Sequence, residues 1–391
     1  MNATATVAAV STGPSAPVVG RQNVCFVSGG TGGHLLPALV LARALLARGH
    51  AALLVTEGRE VEREILRRVL PDVPETSLPV GRPRALTVPF WLANATRLAR
   101  RLLRDRQVDC VVSTGGRPSL PMGLAARSLG LPLYLLEQNA VIGRANRWLA
   151  PFAQRIFLGL PLAGRAPKRS LVTGTPVREE FGRIDRAAAR RGLGLADDVP
   201  VVLVTGGSQG ARSLNTIVPQ ALVRLPIPVQ VLHLSGLGHD ADVRRAYAAG
   251  GAGLRAHVRP VALDMDRMYA AADLVVCRGG GTTVAELSAV GRPAVVVPYP
   301  HHRDQQQLRN AEVLAAADAV RILPERDLDV DRLGGLLAAL LADPTNLAAM
   351  GARGAGLRSA DATGRILDEM GLPAVVVAAT AVPVRRTEGA A

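Results

Sequence analysis

The sequence VCFVSGGTGGH, residues 24–34, decides the fold. Its first five residues predict a buried strand, and the glycines that follow remove side chains where the strand turns into a helix, predicted over residues 37–48. The same order recurs at residues 201–225, where an apolar run leads into GGSQGA and then a second helical segment. Each half of the chain therefore opens as a nucleotide-binding domain does.

Short apolar runs alternate with longer Ala-, Leu- and Arg-rich segments, which is typical of parallel sheets covered by helices. The runs are residues 24–28, 51–55, 110–113, 133–136, 201–205, 229–234, 274–277 and 294–297. The predicted fold class is α/β, with two Rossmann-like domains facing across a cleft. Ligands of such sheets bind outside the carboxyl ends of the strands, so both glycine loops should face that cleft.

Composition predicts where the domains begin and end. Residues 1–21 and 371–391 have no amphipathic period and are predicted to be loose tails. The first domain is predicted over residues 22–175 and the second over residues 176–370, with the boundary in the Gly- and Pro-rich stretch near Gly174.

The 391-residue chain has a net charge of +14, nearly all of it from arginine, since Lys168 is its one lysine. This charge favours anionic partners but leaves nucleic acid, a membrane surface and phosphorylated substrates open. Cys25, Cys110 and Cys277 lie in or beside apolar runs and are predicted to be buried free thiols in a reducing compartment. No apolar stretch has the length of a spanning helix, so the protein is predicted to be soluble and cytoplasmic.

His34 ends the first glycine loop, where an imidazole near the positive end of a helix dipole should stay neutral, as a base requires. A capping or packing histidine is the alternative at this position. A dinucleotide-binding dehydrogenase is a second alternative. The loop does not match G-x-G-x-x-G in register, but Glu57 follows the second strand and leaves that alternative open.

Three polar clusters follow predicted strands. Glu137-Gln138-Asn139 places an acid and two amides at a strand end, and residues 278–286 combine a glycine turn, a helix start and Glu286. The exposed backbone amides of such a turn suit a diphosphate, and the carboxylate can accept hydrogen bonds from both hydroxyls of a ribose. Residues 301–307 offer amides of the kind that read sugar hydroxyls. Taken singly, Glu137 and Glu286 could be helix caps and the glutamines a solvated loop. The position of all three clusters at strand ends favours a binding site.

This ordered set of motifs resembles the MurG family of N-acetylglucosaminyltransferases over residues 22–365. The motifs are the first glycine loop, Glu137-Gln138-Asn139, Gly174 to Arg178, Gly206 to Ala211, Cys277 to Glu286 and the glutamine loop ending at Asn310-Ala311. The resemblance implies a GT-B fold and an inverting reaction with no metal or other cofactor. The family moves N-acetylglucosamine from UDP-N-acetylglucosamine to the 4-hydroxyl of the muramyl residue of lipid I, which gives lipid II for peptidoglycan synthesis.

The resemblance also implies residue roles. On the second domain, which binds the UDP-sugar, the expected contacts are Arg178 and Ser208 to the phosphates, Gly281 and Thr282 amides to the diphosphate, Glu286 to the ribose, Gln306 and Gln307 to the sugar, and the backbone of Ala262 to the uracil. On the first domain, Thr31, Gly32 and Gly33 should hold the acceptor diphosphate, while His34, Glu137 and Asn139 surround the attacking hydroxyl. We assign the base to His34, with Glu137 as alternative or orienting partner.

The chain departs from the family pattern at Arg117, where members commonly have a tyrosine after two glycines. An aromatic contact to the acceptor is therefore replaced by a guanidinium, for which an acceptor phosphate is a possible partner. Other GT-B transferases and a non-catalytic scaffold of wall synthesis are the remaining alternatives. A nucleic-acid binder is disfavoured, because the basic residues are dispersed and carry no binding motif.

A lipid-linked acceptor requires docking on the membrane. Residues 82–92 set Phe90 and Trp91 beside arginines, and Arg97, Arg100, Arg101 and Arg104 follow. This pattern favours an interfacial anchor, with an ordinary core helix as the alternative. We therefore expect a peripheral protein on the cytoplasmic face of the inner membrane, which contacts the anionic membrane surface and, as the resemblance implies, cell-wall and division proteins.

Overall fold

The computed structural model describes residues 20–30, 32–78, 81, 87–207, 209–251 and 253–375. Within them lie two parallel sheets, each covered by helices on both faces. All eight apolar runs predicted from the sequence form strands. The predicted pair of Rossmann-like domains is confirmed.

The first domain has a seven-stranded sheet with the order β3-β2-β1-β4-β5-β6-β7, and all its pairs are parallel. Its strands are β1 (Asn23–Ser28), β2 (Ala51–Thr56), β3 (Glu75–Ser77), β4 (Cys110–Gly115), β5 (Leu133–Glu137), β6 (Arg155–Leu158) and β7 (Ser170–Val172). Its helices are α1 (Gly32–Ala47), α2 (Glu60–Val69), α3 (Val88–Asp105), α4 (Ser119–Leu129) and α5 (Arg144–Leu149).

The second domain has a six-stranded parallel sheet with the order β10-β9-β8-β11-β12-β13. Its strands are β8 (Val201–Thr205), β9 (Val229–Leu234), β10 (Leu254–Arg259), β11 (Leu274–Cys277), β12 (Ala294–Val296) and β13 (Val320–Ile322). Its helices are α6 (Arg186–Leu193), α7 (Arg212–Val223), α8 (Asp240–Tyr247), α9 (Met265–Ala271), α10 (Gly281–Val290), α11 (Gln306–Ala316), α12 (Val330–Leu341) and α13 (Pro344–Gly356).

The strand order reverses at the same place in both sheets, between β1 and β4 in the first and between β8 and β11 in the second. A crevice forms at such a switch point, because the loops after the two central strands leave toward opposite faces of the sheet. In the first domain α1 and α2 pack on one face and α3, α4 and α5 on the other. The glycine loop after β1 therefore lies beside the loop that follows β4.

The last described segment returns to the first domain. Helix α14 (Ala362–Glu369) packs against α1, and its Ile366 and Leu367 are buried in the core of the first sheet. Farther on, the Pro373 carbonyl lies 2.8 Å from His50 Nε2, and the Val375 amide donates to the Arg48 carbonyl at 2.7 Å. The predicted second domain, residues 176–370, includes this helix, and the predicted tail begins at residue 371. The contacts instead join 362–375 to the first domain.

No single helix in the described ranges has the length and apolar character to cross a membrane. Helices α12 and α13, which meet at 93°, pass that test only when they are taken together.

Arg190 on α6 is the largest fully buried side chain of the second domain. Its guanidinium lies 2.5 Å from Asp273 Oδ2, which also accepts a hydrogen bond from the Val201 amide. Its other N–H groups donate to the backbone carbonyls of Ala271, Ala196, Asp197 and Val199. The pair therefore holds together the amino ends of the two central strands, β8 and β11.

We expect Arg190→Leu to lower the free energy of unfolding of the second domain by about 3–5 kcal/mol, because the carboxylate and four carbonyls lose a buried partner. Urea unfolding measures the loss. The matched control is Arg186→Leu, whose guanidinium contacts the other Asp273 oxygen at 2.7 Å but is 44% exposed. An exposed pair contributes about 1 kcal/mol or less. Equal losses in the two variants would contradict the prediction.

Candidate active site between the domains

The amino ends of two helices meet across the cleft. Thr282 Oγ1, in the first turn of α10, donates a 2.8 Å hydrogen bond to the carbonyl of Gly33, in the first turn of α1. Beside it, a Cβ atom on Gly281 would come within 2.6 Å of the Gln138 carbonyl oxygen. The backbones of the two domains are therefore in direct contact, and only glycine fits at position 281.

His34 lies in the first turns of α1, with its ring against the last residues of β4. Its Nδ1 is 2.7 Å from the carbonyl oxygen of Thr114. A carbonyl can only accept, so Nδ1 carries a proton, and in the neutral imidazole the lone pair is then on Nε2. Gly115 has a φ of +111°, and a Cβ there would lie 2.8 Å from the ring. The glycine thus leaves room for an imidazole that is held in the tautomer of a base.

Glu137 ends β5 and is almost fully buried. Its Oε1 accepts hydrogen bonds from the backbone and side-chain amides of Asn139, at 3.2 and 2.9 Å. Its Oε2 accepts from the Gly143 amide at 2.8 Å and from Asn146 Nδ2 at 2.9 Å. Four donors on one carboxylate hold the loop after β5 and the start of α5 in a single arrangement.

Asn139 contacts the second domain through its side-chain oxygen, which accepts a 2.9 Å hydrogen bond from Asn310 on α11. Asn310 ends the glutamine-loop motif of the family resemblance, but local sequence predicts no partner for a single asparagine inside a helix. Its partners lie about 30 and 170 residues away along the chain.

Glu286, in the second turn of α10, is buried on the second-domain side of the cleft. Burial raises the pKa of this carboxyl to about 7, although a 3.1 Å hydrogen bond from the Tyr269 hydroxyl and the charge of Arg178 act to lower it. Near neutral pH the site therefore holds a carboxyl group that a bound hydrogen-bond donor can convert to the ionised form.

Gln306 and Gln307, which the sequence predicts to contact the sugar, are the first two residues of α11. The Gln307 side-chain oxygen accepts hydrogen bonds from the Gly279 amide at 3.2 Å and the Tyr299 amide at 3.0 Å. Its oxygen is thus used to hold the loop before α10, which leaves its NH₂ group as the donor for a ligand. Gln306 is partly exposed in the first turn of the same helix.

Arg178 lies on the wall of the second domain. It donates to the Leu263 carbonyl at 3.1 Å, lies 3.5 Å from Asp266 and places its guanidinium 5.0 Å from the centre of the Phe181 ring. Ala262, in the same loop as Leu263, packs against the domain core. The structure thus brings Arg178, Ala262 and Glu286 to one side of the cleft. Thr31 and Ser208 lie outside the described residues, while Gly32 and Gly33 form the first turn of α1.

Arg117 shares the buried carboxylate of Glu57 with Arg59, at 2.5 and 2.7 Å. Burial raises the pKa of Glu57, but the hydrogen bond and charge of Arg117 and the charge of Arg59 bring it below its usual range. Arg59 also donates to the Gly30 carbonyl at 2.7 Å, and Glu62 accepts from the Gly30 amide at 3.3 Å. Glu57 therefore supports the glycine loop through arginines, and its carboxylate is not free to bind a ribose.

The described residues contain no group of three or more His, Cys, Asp or Glu side chains arranged to hold a metal ion. Cys25, Cys110 and Cys277 are buried free thiols. Burial raises the pKa of Cys110 and Cys277 to about 12, which makes both thiols unreactive at neutral pH.

Comparison with known proteins gives a consistent relationship over both domains. Residues 24–158 match the glycosyltransferase family 28 N-terminal domain, and residues 201–366 match the C-terminal domain of the same family. The chain is 40% identical to the UDP-N-acetylglucosamine--N-acetylmuramyl-(pentapeptide) pyrophosphoryl-undecaprenol N-acetylglucosamine transferase of Ectopseudomonas mendocina, over 89% of this chain and 98% of that protein. A protein of the same name from Stutzerimonas stutzeri is 39% identical over 88% and 97%.

Solved structures agree with these sequence relationships. The crystal structure of Acinetobacter baumannii MurG superimposes with a TM-score of 0.73 at 30% identity, covering 90% of this chain and 99% of that one. A UDP-GlcNAc 2-epimerase from Neisseria meningitidis shares the fold alone, with a TM-score of 0.64 at 14% identity over 89% and 99%. The predicted resemblance is confirmed, and the chain belongs to the MurG family of glycosyltransferases.

Proposed function

We propose that this chain is an inverting glycosyltransferase that moves N-acetylglucosamine from UDP-N-acetylglucosamine to the 4-hydroxyl of the N-acetylmuramyl residue of lipid I, forming lipid II. The family relationship supports both substrates, which the names of the relatives contain. The observation that carries the proposal is the 2.7 Å contact of His34 Nδ1 with the Thr114 carbonyl, which directs Nε2 to the ligand, beside a helix start of the opposite domain. A base and a diphosphate cradle thus face one cleft.

In the proposed reaction, His34 Nε2 takes the proton of the muramyl hydroxyl as that oxygen attacks the anomeric carbon of the donor sugar. UDP leaves from the opposite face through an oxocarbenium-like transition state. The amides at the start of α10, at Gly281 and Thr282, stabilise the negative charge that develops on the departing diphosphate. Gly32 and Gly33 are the corresponding amides for the acceptor diphosphate, together with Thr31.

Glu137 acts in this proposal as a positioning residue rather than as the base. All of its hydrogen bonds come from groups of its own loop and of α5, so its oxygens are occupied. It orients Asn139, whose amide then lies at the acceptor side of the cleft.

The proposed donor contacts are made by residues of the second domain that line the cleft. Glu286 accepts the ribose hydroxyls, Arg178 and Ser208 approach the phosphates, the backbone of Ala262 reads the uracil edge, and Gln306 and Gln307 bind the sugar. The burial of Glu286 supports its part, because hydroxyl donors from the ligand compensate an otherwise unfavourable buried charge.

The direct test supplies UDP-N-acetylglucosamine and a lipid I analogue to the purified protein. The expected products are UDP and a β-1,4-linked disaccharide lipid. Binding of the UDP-sugar without any disaccharide product would refute the acceptor assignment while leaving the donor assignment intact.

We expect His34→Gln to reduce kcat by about a hundredfold or more, since loss of a general base usually has an effect of that size. Glutamine keeps an N–H that can donate to the Thr114 carbonyl, so the loop geometry is preserved while the base is lost. Affinity for the UDP-sugar, measured calorimetrically without acceptor, should stay near wild type. Turnover within about tenfold of wild type would rule out His34 as the base.

Donor binding should depend on pH through Glu286. Its carboxyl has a pKa raised to about 7 in the free protein, and ribose hydroxyls donate to the ionised form. Affinity for UDP-N-acetylglucosamine should therefore increase by up to about tenfold as the pH rises from about 6 to about 8. Glu286→Gln should bind more weakly and lose this dependence. The same slope in the variant and the wild type would assign the titration to another group.

We also propose that α3 docks on the cytoplasmic face of the inner membrane. Its buried residues Ala95, Ala99 and Leu103 face the sheet, so the helix contributes to the core, whereas Phe90 at its amino end is 81% exposed. Its outer side lines a groove of about 720 Å³ with Arg97, Arg100, Arg101 and Arg104. An exposed aromatic beside four arginines suits an anionic interface. Residues 82–86 lie outside the described part of the chain.

Two further exposed aromatic side chains extend this surface. Trp148 on α5 is 72% exposed and Phe152 is 42% exposed, and the exposed Arg144 and Arg147 lie on the same helix as Trp148. Helices α3, α4 and α5 cover the same face of the first sheet, so both aromatic groups belong to one side of the domain.

The double variant Phe90→Ser/Trp91→Ser should bind anionic vesicles about tenfold or more weakly than wild type, because apolar area is lost from the interface. Binding by the wild type should also weaken with salt. Leu237→Ser is the matched control, since Leu237 is 64% exposed but lies on the second domain. Co-sedimentation with vesicles of stated anionic content gives the measurement. Equal binding by the double variant and wild type would exclude α3 as the anchor.

A further inference from the structure

Asn310 on α11 is fully buried and makes three hydrogen bonds to two segments of the cleft. Its side-chain oxygen accepts a 2.7 Å hydrogen bond from the Ala140 amide, and its NH₂ group donates to Asn139 Oδ1 and to the Gly279 carbonyl, both at 2.9 Å. Ala140 and Asn139 belong to the first domain, and Gly279 to the second. One amide therefore bonds to both halves of the site.

The bonds to Ala140 and Asn139 exist only while the domains are together, whereas the bond to Gly279 lies within the second domain. Separation of the domains would break the hydrogen bond between the Ala140 amide and the Asn310 oxygen, and each group would then have to bond to water. Apart from the exposed pair of Arg43 and Glu180, the described residues have one other side-chain hydrogen bond between the domains, from the Thr282 hydroxyl to the Gly33 carbonyl at the helix amino ends. Asn310 is the deeper of the two, because its side chain has no exposed surface.

The bonds continue from Asn310 to the acceptor side. Asn139 receives a hydrogen bond from Asn310 at its oxygen and donates through its nitrogen to Glu137 Oε1. An amide whose oxygen and nitrogen are both engaged cannot flip without breaking both bonds. The orientation of Asn139 is thus set by one residue of each domain.

The bonds also reach the donor side. The Gly279 carbonyl accepts from Asn310, and the Gly279 amide donates to the side-chain oxygen of Gln307, one turn earlier on α11. Gly279 lies two residues before the amino end of α10, where the diphosphate cradle begins. A ligand that orders this loop or Gln307 therefore acts on the same residue, Gly279, that Asn310 holds.

We propose that Asn310 is a positioning residue that couples the two substrate sites: occupancy of the donor side stabilises the closed cleft and, through Asn139 and Glu137, the acceptor side. The proposal rests on the proposed function for the identity of the two ligands. Asn310 itself touches neither reacting group. Its role is to make the acceptor loop depend on the state of the donor loop.

The test compares Asn310→Leu, and Asn310→Ala as a smaller replacement, with Gln230→Leu. Gln230 is a matched control, because its buried amide also makes three hydrogen bonds, to the Ala196 amide and to the carbonyls of Ala196 and Val199, all within the second domain. Loss of stability alone should therefore appear in all three variants, and loss of coupling only in the two Asn310 variants.

In the Asn310 variants, the Kd for UDP-N-acetylglucosamine alone should remain within about threefold of wild type, while kcat/KM for the lipid I analogue falls by about 5- to 150-fold, the usual range of a coupling free energy. Saturating donor should tighten acceptor binding in wild type and in Gln230→Leu, but not in the Asn310 variants. If saturating donor tightens acceptor binding in both Asn310 variants as much as in wild type, the proposal is wrong.

A readout without turnover separates this proposal from the proposed function. Spin labels at Arg127→Cys on the first domain and Gln220→Cys on the second occupy exposed positions, and the three native cysteines are buried. The interdomain distance should be short and narrow in the parent and in Gln230→Leu, and longer or broader in the Asn310 variants. Identical distributions would refute the role of Asn310, whereas absence of transfer by wild type would refute only the assigned reaction.

Discussion

The structure depends on one close contact, in which the backbone of Gly281 at the start of α10 lies against the Gln138 carbonyl at the end of β5. A side chain at this point would separate the domains, and the hydrogen bonds from Thr282 and Asn310 to the first domain would be lost with it. The contact also brings two helix amino ends together, and each of them favours negative charge. These helix ends suit the diphosphates that the two proposed substrates carry.

Two buried carboxylates in the cleft have different environments and therefore different tasks. Glu137 receives four hydrogen bonds from its own domain, so its charge is satisfied before any ligand binds. Glu286 receives one, from Tyr269, and burial raises its pKa to about 7. A carboxylate that is already satisfied holds its neighbours in place, whereas one that lacks donors gains from a ligand that supplies them. This difference supports a structural role for the first and a binding role for the second.

The sequence predicted the elements well, because the cues for them are local. The apolar runs, the glycine turns and the position of His34 at the start of α1 all follow from neighbouring residues. The partners of the side chains could not be predicted in this way. Glu57 follows a strand as a ribose-binding acid would, yet it pairs with Arg117, which is 60 residues away. The return of α14 to the first domain and the bonds of Asn310 also join distant residues, for which one sequence contains no pairing signal.

The arrangement around His34 shows how these distant contacts affect chemistry. The imidazole is oriented by the Thr114 carbonyl at the end of β4, and its own glycine loop is held at Gly30 by Arg59 and Glu62. Arg59 is in turn fixed by Glu57, which Arg117 of the β4 loop also contacts. The glycine loop and the β4 loop are therefore tied twice, once through His34 and once through Glu57. The guanidinium at position 117 makes the second tie, because it is the group of the β4 loop that pairs with Glu57.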